Sequence, residues 1–311
     1  MTEETTHLRV VRPSDEHQQD GVKPRPPVLR ALGKLEPPAE VEVGGSRYLR
    51  VEVLKHDSWA ATAVYEGSQE RIVCKFNRQQ SIFGVPAAWI GRRLAARESY
   101  LLKALAALPN VPAYRGPVLS NGRPLRHCTA HVYVPGHPLK RREYVNDEFF
   151  PTLGRMLDSM HRLGIVYVDL HKSENILVGD DGQPHLIDFQ VCFIRPRRRW
   201  LSALLQYVEA VLKDTDRYHF RKHLCRSRPD LAGCDCNNER PWLIRAHRSV
   251  AAPLRTLRRR LLVAIGVRRG LGLADSEHFP EDAVRRAQDD SPRKASPKID
   301  YSRESSSRRV A

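Results

Sequence analysis

The strongest constraint on the fold is a pair of acidic residues carried on apolar runs close together in the chain. VYVDLHKSENILV spans 166–178 and HLIDFQ spans 185–190. An apolar stretch, Ile165 to Val168, returns the chain to a core, and Asp169 emerges from it into the polar loop HKSEN. A short apolar strand, a DDG turn at 180–182 and a second short strand ending at Asp188 come next. A hairpin between Asn175 and Asp188 would bring the two segments together. Upstream, Phe149, Leu153, Met156, Leu157, Met160 and Leu163 share one face of a helix that Gly164 stops.

A second buried charge pair is legible further upstream. In RIVCKF, Lys75 sits among Ile72, Val73, Cys74 and Phe76; in a helical stretch from Pro86 to Leu108, Glu98 lies within the stripe of Leu94, Leu101, Leu105 and Leu108. Either charge alone reads as a side chain reaching solvent from an element edge. Together the simplest resolution is that they meet, with the ammonium held forward towards a cleft where it binds phosphate oxygens.

The order of elements points to an α+β fold with a cleft. Strand-like runs at Tyr48–Leu54, Thr62–Tyr65 and Arg71–Phe76 precede the helix. Further runs lie near Ala113–Leu119 and Cys128–Val134, and VPGHP (134–138) breaks the pattern. The chain then turns mainly helical apart from short strands near Ile176–Val178 and His185–Ile187. Trp200, Leu204, Leu205, Val208, Val211 and Leu212 share a side expected to pack. Composition sets the expected domains: a disordered arm at 1–40, a β-rich lobe at 41–134, a helical lobe with a basic extension at 135–273 and a disordered Ser- and Arg-rich tail at 274–311. The start of the chain lacks the apolar core of a secretory signal and no run reaches membrane-spanning length. A cytoplasmic protein with reduced cysteines is therefore expected.

These residue types match one chemistry. Phosphoryl transfer from ATP needs a group that accepts or orients the acceptor's hydroxyl proton, and hard oxygen ligands for Mg²⁺. Asp169 suits the first role, Asn175 and Asp188 the second, and Lys172 lies where it would offset charge on the transferred phosphate.

The pattern resembles the protein-kinase-like superfamily over roughly residues 47–193. VDLHKSENILV is similar to its catalytic loop, LIDFQ to its metal-binding Asp-Phe-Gly segment, VCKF to the strand carrying the ATP lysine, and ARES (96–99) to the helix carrying that lysine's glutamate. The resemblance implies a two-lobed fold, ATP and Mg²⁺, with Lys75, Glu98, Asp169, Asn175 and Asp188 in those roles. It also implies a hinge from Tyr133 to Gly136 meeting adenine through backbone groups, chiefly at Tyr133 and Val134. Several positions depart from the family. KHDSWAATAV (55–64) replaces the Gly-rich loop, leaving its amides and Ser58 to cradle phosphate. Tyr167 and Val168 stand where His-Arg is usual, the Asp169–Asn175 loop is one residue longer, Gln190 replaces glycine, and there is no Ala-Pro-Glu segment after Asp188. Among kinases, the chain most resembles the RIO and bacterial lipopolysaccharide-core sugar kinases (heptose and Kdo kinases). The expected acceptor is then a protein Ser/Thr hydroxyl or a sugar hydroxyl on an anionic glycolipid. The alternative is a nucleotide-binding pseudokinase or scaffold without turnover.

The net charge of +16 favours an anionic partner. The stretch 247–270 is Arg-rich and amphipathic, with Leu254, Leu257, Leu261 and Ile265 along one side. It is expected to pack on the helical lobe, with peripheral contact to the anionic inner membrane face as the other reading; nucleic acid is not the expected partner. His223, Cys225, Cys234 and Cys236 lack the spacing of common zinc modules, and the cysteines read as thiols outside any metal site or disulfide.

Overall fold

The computed structural model describes residues 26–81, 84–195 and 202–233. The fold is mixed α+β: a curled antiparallel sheet with few helices. In chain order the elements are β1 (Glu40–Val43), β2 (Ser46–His56), β3 (Ala60–Glu66), β4 (Arg71–Asn77), α1 (Ala88–Ala104), β5 (Tyr114–Gly116), β6 (Val118–Ser120), β7 (Arg123–Pro124) and β8 (Cys128–Val132). Then come β9 (Gly136–Pro138), α2 (Phe149–Arg162), β10 (Ile165–Val166), β11 (Ile176–Gly179), β12 (Pro184–Leu186), β13 (Phe193–Ile194) and α3 (Ser202–Ser227).

Eight strands form one sheet in the order β5-β8-β4-β3-β2-β1-β6-β7. β5 and β6 are separated only by Pro117, yet β5 is at one end of that order and β6 pairs with β1 near the other. The sheet must therefore curl back on itself. Alternation along β4 sends Ile72, Cys74 and Phe76 into the enclosed core with Val41, Tyr65 and Ala130. Lys75 falls on the opposite face, towards α1. Its position in the apolar run is thus a matter of strand parity, and its charge never enters the core of the curl.

A second core joins α1 to the later half of the chain. Leu101, Leu102 and Leu105 pack with Phe149, Leu153, Met156, Met160, Ile176, Leu186 and Phe189. Gly164 ends α2 with a φ of +71°, the left-handed turn that glycine adopts without steric cost. Leu163, expected on the buried face of this helix, is 57% exposed. β11 and β12 form a hairpin pairing Ile176 with Leu186, and β9 joins it as a third strand.

Three expectations are corrected. α3 does not bury the expected apolar side whole: Leu204 is 58% exposed, Leu205, Val208, Val211 and Leu212 are half-buried, and Trp200 lies outside the described residues. The side chains it buries are Glu209, Thr215, Asp216, His219, His223 and Ser227; Glu209 meets Arg195 and Lys213, while Asp216 and His223 meet backbone groups. Helix α1 is shorter than the 86–108 pattern, ending at Ala104. Residues 26–39, assigned to the arm by composition, pack against the sheet. Ala31 is fully buried and its N–H donates to the Asp57 carbonyl at 2.8 Å, while its own carbonyl accepts from Gln79 and Gln80. Backbone pairing of this kind needs no hydrophobic pattern, so composition is blind to it. Residues 1–25, Cys234, Cys236, the stretch 247–270 and the tail lie outside the described residues. Among the described residues no helix is long and apolar enough to cross a membrane.

The approach of α1 to the end of β4 depends on Gly91. A Cβ there would lie 2.2 Å from the Arg78 carbonyl oxygen, and backbone has little room to yield. Gly91→Ala is expected to destabilise the protein by about 1–3 kcal/mol through overpacking, although alanine is the better helix former by about 1 kcal/mol. Urea denaturation checks the sign: a more stable variant would show that the helix can move aside.

Candidate functional site

β4 and α1 place their buried charges opposite each other. Lys75 Nζ lies 3.5 Å from Glu98 Oε1 and 2.8 Å from Asp188 Oδ1. Burial disfavours the ammonium, but Glu98 and then Asp188 outweigh it and raise the lysine pKa. Burial likewise pushes Glu98 up, only partly offset by Lys75. For Asp188 burial also raises the pKa, yet Lys75, with Lys172 and Lys55 behind it, holds the carboxyl below its usual value. Asp188 is thus the more firmly ionised acid, with a third of its side-chain surface open.

Glu98 has another partner. Gln190 Nε2 donates to Glu98 Oε2 at 2.9 Å and to Asn77 Oδ1 at 2.6 Å. Arg97, the neighbour of Glu98 on α1, donates through Nε to the Gln190 carbonyl at 3.0 Å and through Nη2 to the Cys192 carbonyl.

Asp169 forms a second group. Its Oδ2 accepts from Lys172 Nζ at 2.7 Å and from Asn175 Nδ2 at 3.1 Å, and its Oδ1 lies 3.2 Å from His171 Nδ1. The β11–β12 hairpin joins the two groups, since the Ile187 N–H, one residue before Asp188, donates to the Asn175 carbonyl at 3.1 Å. Five residues singled out in the sequence (Lys75, Glu98, Asp169, Asn175 and Asp188) therefore converge, with Lys172 beside them. Asn175 spends its Nδ2 on Asp169, leaving Oδ1 as the atom available to a cation. An amide oxygen and an ionised carboxylate are both donors of the kind that Mg²⁺ takes together with phosphate and water oxygens. Among the described residues no cluster of three or more His, Cys, Asp or Glu has metal-holding geometry.

Ser58, Tyr133 and Val134 are placed differently. The Ser58 hydroxyl donates to the Leu29 carbonyl at 2.9 Å, so its hydrogen is committed to the 26–39 segment. The Tyr133 N–H donates to the Arg71 carbonyl at 3.0 Å and extends the sheet. Val134 is next, half-buried, in the link to β9. A cleft of about 500 Å³ lies along this link, lined by Glu70, Arg71, Val132, Tyr133, Pro135, Gly136 and Asp180. The link therefore has space beside it, but the Tyr133 amide is not free to serve a ligand. The glycine-free β2–β3 loop owes its turn to Asp57, whose Oδ1 accepts from the N–H groups of Trp59 at 2.7 Å and Ala60 at 2.9 Å. Lys55 Nζ lies 2.6 Å from Asp57 Oδ2.

The residue most clearly missed in the sequence is Asp216. It is fully buried on α3. Its carboxylate accepts from the N–H of Tyr167 and the N–H of Val168, each at 2.9 Å, and from His161 Nε2 at 3.0 Å. Val168 has a φ of +68°, a conformation that a β-branched residue adopts only under constraint. Asp216 supplies that constraint one residue before Asp169. Tyr167 then ties the loop to the hairpin: its hydroxyl donates to the Ile187 carbonyl and its ring meets Phe189 edge to face at 5.7 Å. Nothing local marks Asp216, which sits in the polar run KDTDRYHF.

Asp216→Ala would leave three buried donors without their acceptor and is expected to cost about 3 kcal/mol or more, read as a lower denaturant midpoint. A loss under about 1 kcal/mol, the net worth of one ordinary hydrogen bond, would show that the clamp contributes little.

Acid should weaken the fold before carboxylates titrate. Burial pushes His131 down to about 4, His219 to about 3 and His223 to about 4. His223 is held by the Leu170 carbonyl at 2.8 Å and His131 by the Val132 carbonyl at 2.8 Å. Below about pH 6.5 the unfolded chain binds protons at these rings and the native state does not, so stability is complete above that pH and falls below it, by at most about 1.4 kcal/mol per pH unit for each ring. Urea midpoints at pH 7 and pH 5 should differ clearly, and His131→Gln should narrow the difference; equal wild-type midpoints would contradict the assignment.

A search against protein-family models finds no match to this chain, and a search of curated proteins finds none either.

Proposed function

We propose that this chain is an ATP- and Mg²⁺-dependent phosphotransferase acting on a hydroxyl, built on a two-lobed fold of the protein-kinase type. The observation that carries the reading is the convergence of Lys75, Glu98 and Asp188 with Asp169, Asn175 and Lys172 across one hairpin. Salt bridges for stability alone would not need an ammonium shared between two acids beside an amide-linked third, because buried ion pairs contribute little net stability.

The roles derive from the contacts. Lys75, held by Glu98, presents its ammonium to phosphate oxygens; with a nucleotide bound it would exchange its 2.8 Å contact to Asp188 for one to phosphate. Asp188 and Asn175 would then hold Mg²⁺, which supplies neutralisation of the phosphate charge. Asp169 accepts or orients the proton of the acceptor hydroxyl through the carboxylate edge not held by Lys172 and Asn175, where His171 now lies. Lys172 offsets charge on the transferred group. The Lys55–Asp57 loop, which Asp188 senses electrostatically, takes the place of a Gly-rich phosphate cradle. The acceptor is a protein Ser/Thr hydroxyl or a sugar hydroxyl of an anionic glycolipid, and radiolabelled ATP with lysate fractionated into protein and lipid separates them.

Asp169→Asn is expected to keep Mg-ATP affinity within a few-fold while turnover falls by about 10²–10⁴. Calorimetric binding and an ATP-consumption assay read both quantities. Undiminished turnover would refute the role, and wild-type binding without any turnover would point to a scaffold.

A further inference from the structure

The segment after Asp188 is fastened to the strand-and-helix side of the site by one side chain. Gln190 Nε2 spends both its hydrogens on oxygens, Glu98 Oε2 at 2.9 Å and Asn77 Oδ1 at 2.6 Å. The chemistry at 190 is fixed by these partners. Asn77 gives its own Nδ2 to the His127 carbonyl at 3.3 Å, so it turns an acceptor towards Gln190. Glu98 presents a carboxylate oxygen whose sibling faces Lys75. Two acceptors converge on one point, and only a two-hydrogen donor satisfies both. A glutamate of the same size could not, and glycine would leave both oxygens facing nothing in the dry space behind the lysine. Arg97 repeats the connection on the main chain, holding the carbonyls of Gln190 and Cys192. The Asp188 backbone itself is at φ +61°, a conformation that relaxes unless its neighbours hold it.

We infer that Gln190 is a positioning residue: acting through Glu98 and Asn77, with Arg97 as its main-chain counterpart, it locks the Asp188 segment to α1 so that the Lys75–Glu98–Asp188 group stands assembled before any ligand arrives. This rests on the phosphotransferase reading for its effect on catalysis, but not for the lock itself. Loosening the segment lets Glu98 leave Lys75 and lets Asp188 drift from Asn175. The cost falls on phosphate positioning, and the proton-handling side at Asp169 is untouched.

The test uses the full chain with Gln190→Met, Gln190→Glu and Glu98→Gln, and the double variant Gln190→Met/Glu98→Gln. With ATP consumption as the readout, Gln190→Met is expected to lower kcat/KM for ATP about tenfold or more. The double variant should be no more than about twofold worse than Glu98→Gln alone, because both changes break the same connection. Gln190→Glu should be at least as impaired as Gln190→Met. Wild-type rates in Gln190→Met, or losses that multiply in the double variant, would overturn the proposal. Backbone hydrogen exchange of residues 188–194 decides the lock independently of turnover. Faster exchange in Gln190→Met than in wild type supports it, and unchanged exchange overturns it. Should the wild type consume no ATP while exchange rises as expected, the phosphotransferase reading fails and the lock stands. If Gln190→Met does not fold, Gln190→Glu and Arg97→Lys carry the exchange measurement.

Discussion

A single ammonium in a dry place organises this protein. Lys75 reaches from the outer face of a strand in the curled sheet to acids on a helix and on a hairpin more than a hundred positions later in the chain. An unpaired charge there would be costly, so β4, α1 and the segment after β12 cannot pack independently. The cationic centre therefore acts as a fold-level constraint: whatever the two hydrophobic cores gain by separate closure, the charges are satisfied only when both cores meet in one arrangement. The acids are not equivalent. Glu98 is enclosed and pushed upward, while Asp188 is partly open and pulled downward. One carboxylate is enclosed with the lysine and the other faces partly outward.

Backbone strain leads to the same conclusion from the opposite side of the hairpin. Val168 and Asp188 both carry positive φ values, and each is met by polar contacts from elsewhere in the chain: Asp216 beneath the first, Arg97 and Gln190 beyond the second. Strain of this kind persists only where the surroundings over-determine the conformation. The helix α3 serves that purpose through Asp216; its fully buried side chains are polar or charged, and Phe220 and Leu224 pack half-buried on the core beside them.

Legibility in the sequence ran along a physical line. Lys75, Glu98, Asp169 and Asp188 stood out because each is a charge in or beside an apolar run, and a run has a period that can be counted. Asn175 was legible as the amide that closes the polar loop after Asp169, although that loop is one residue longer than the resemblance leads one to expect. Asp216 was not, because its neighbours are polar and its partners are backbone amides far upstream, which leave no trace in side-chain pattern. The role of Gln190 was hidden for a related reason: its meaning lies in Asn77, over a hundred positions earlier, and without that partner the residue looks only like a missing glycine. Ser58 was placed by its loop, but its hydroxyl answers to Leu29, from a segment whose composition carries no folding signal. Strand and helix existence came from periodicity; the curl of the sheet came from the proximity of β5 to β6, which is topology.

Arg78 makes the first described segment inseparable from the sheet. Its guanidinium, almost wholly buried, collects the carbonyls of Val28, Ser58 and Ser81, while its own backbone N–H donates to the Trp59 carbonyl. Separate stretches of main chain are thus stitched at one knot. A recombinant fragment trimmed to begin at the first strand would pull out one of those threads and strip the cover from a cation that cannot shed its proton. A boundary drawn where the composition turns hydrophobic would therefore fall inside the folded unit.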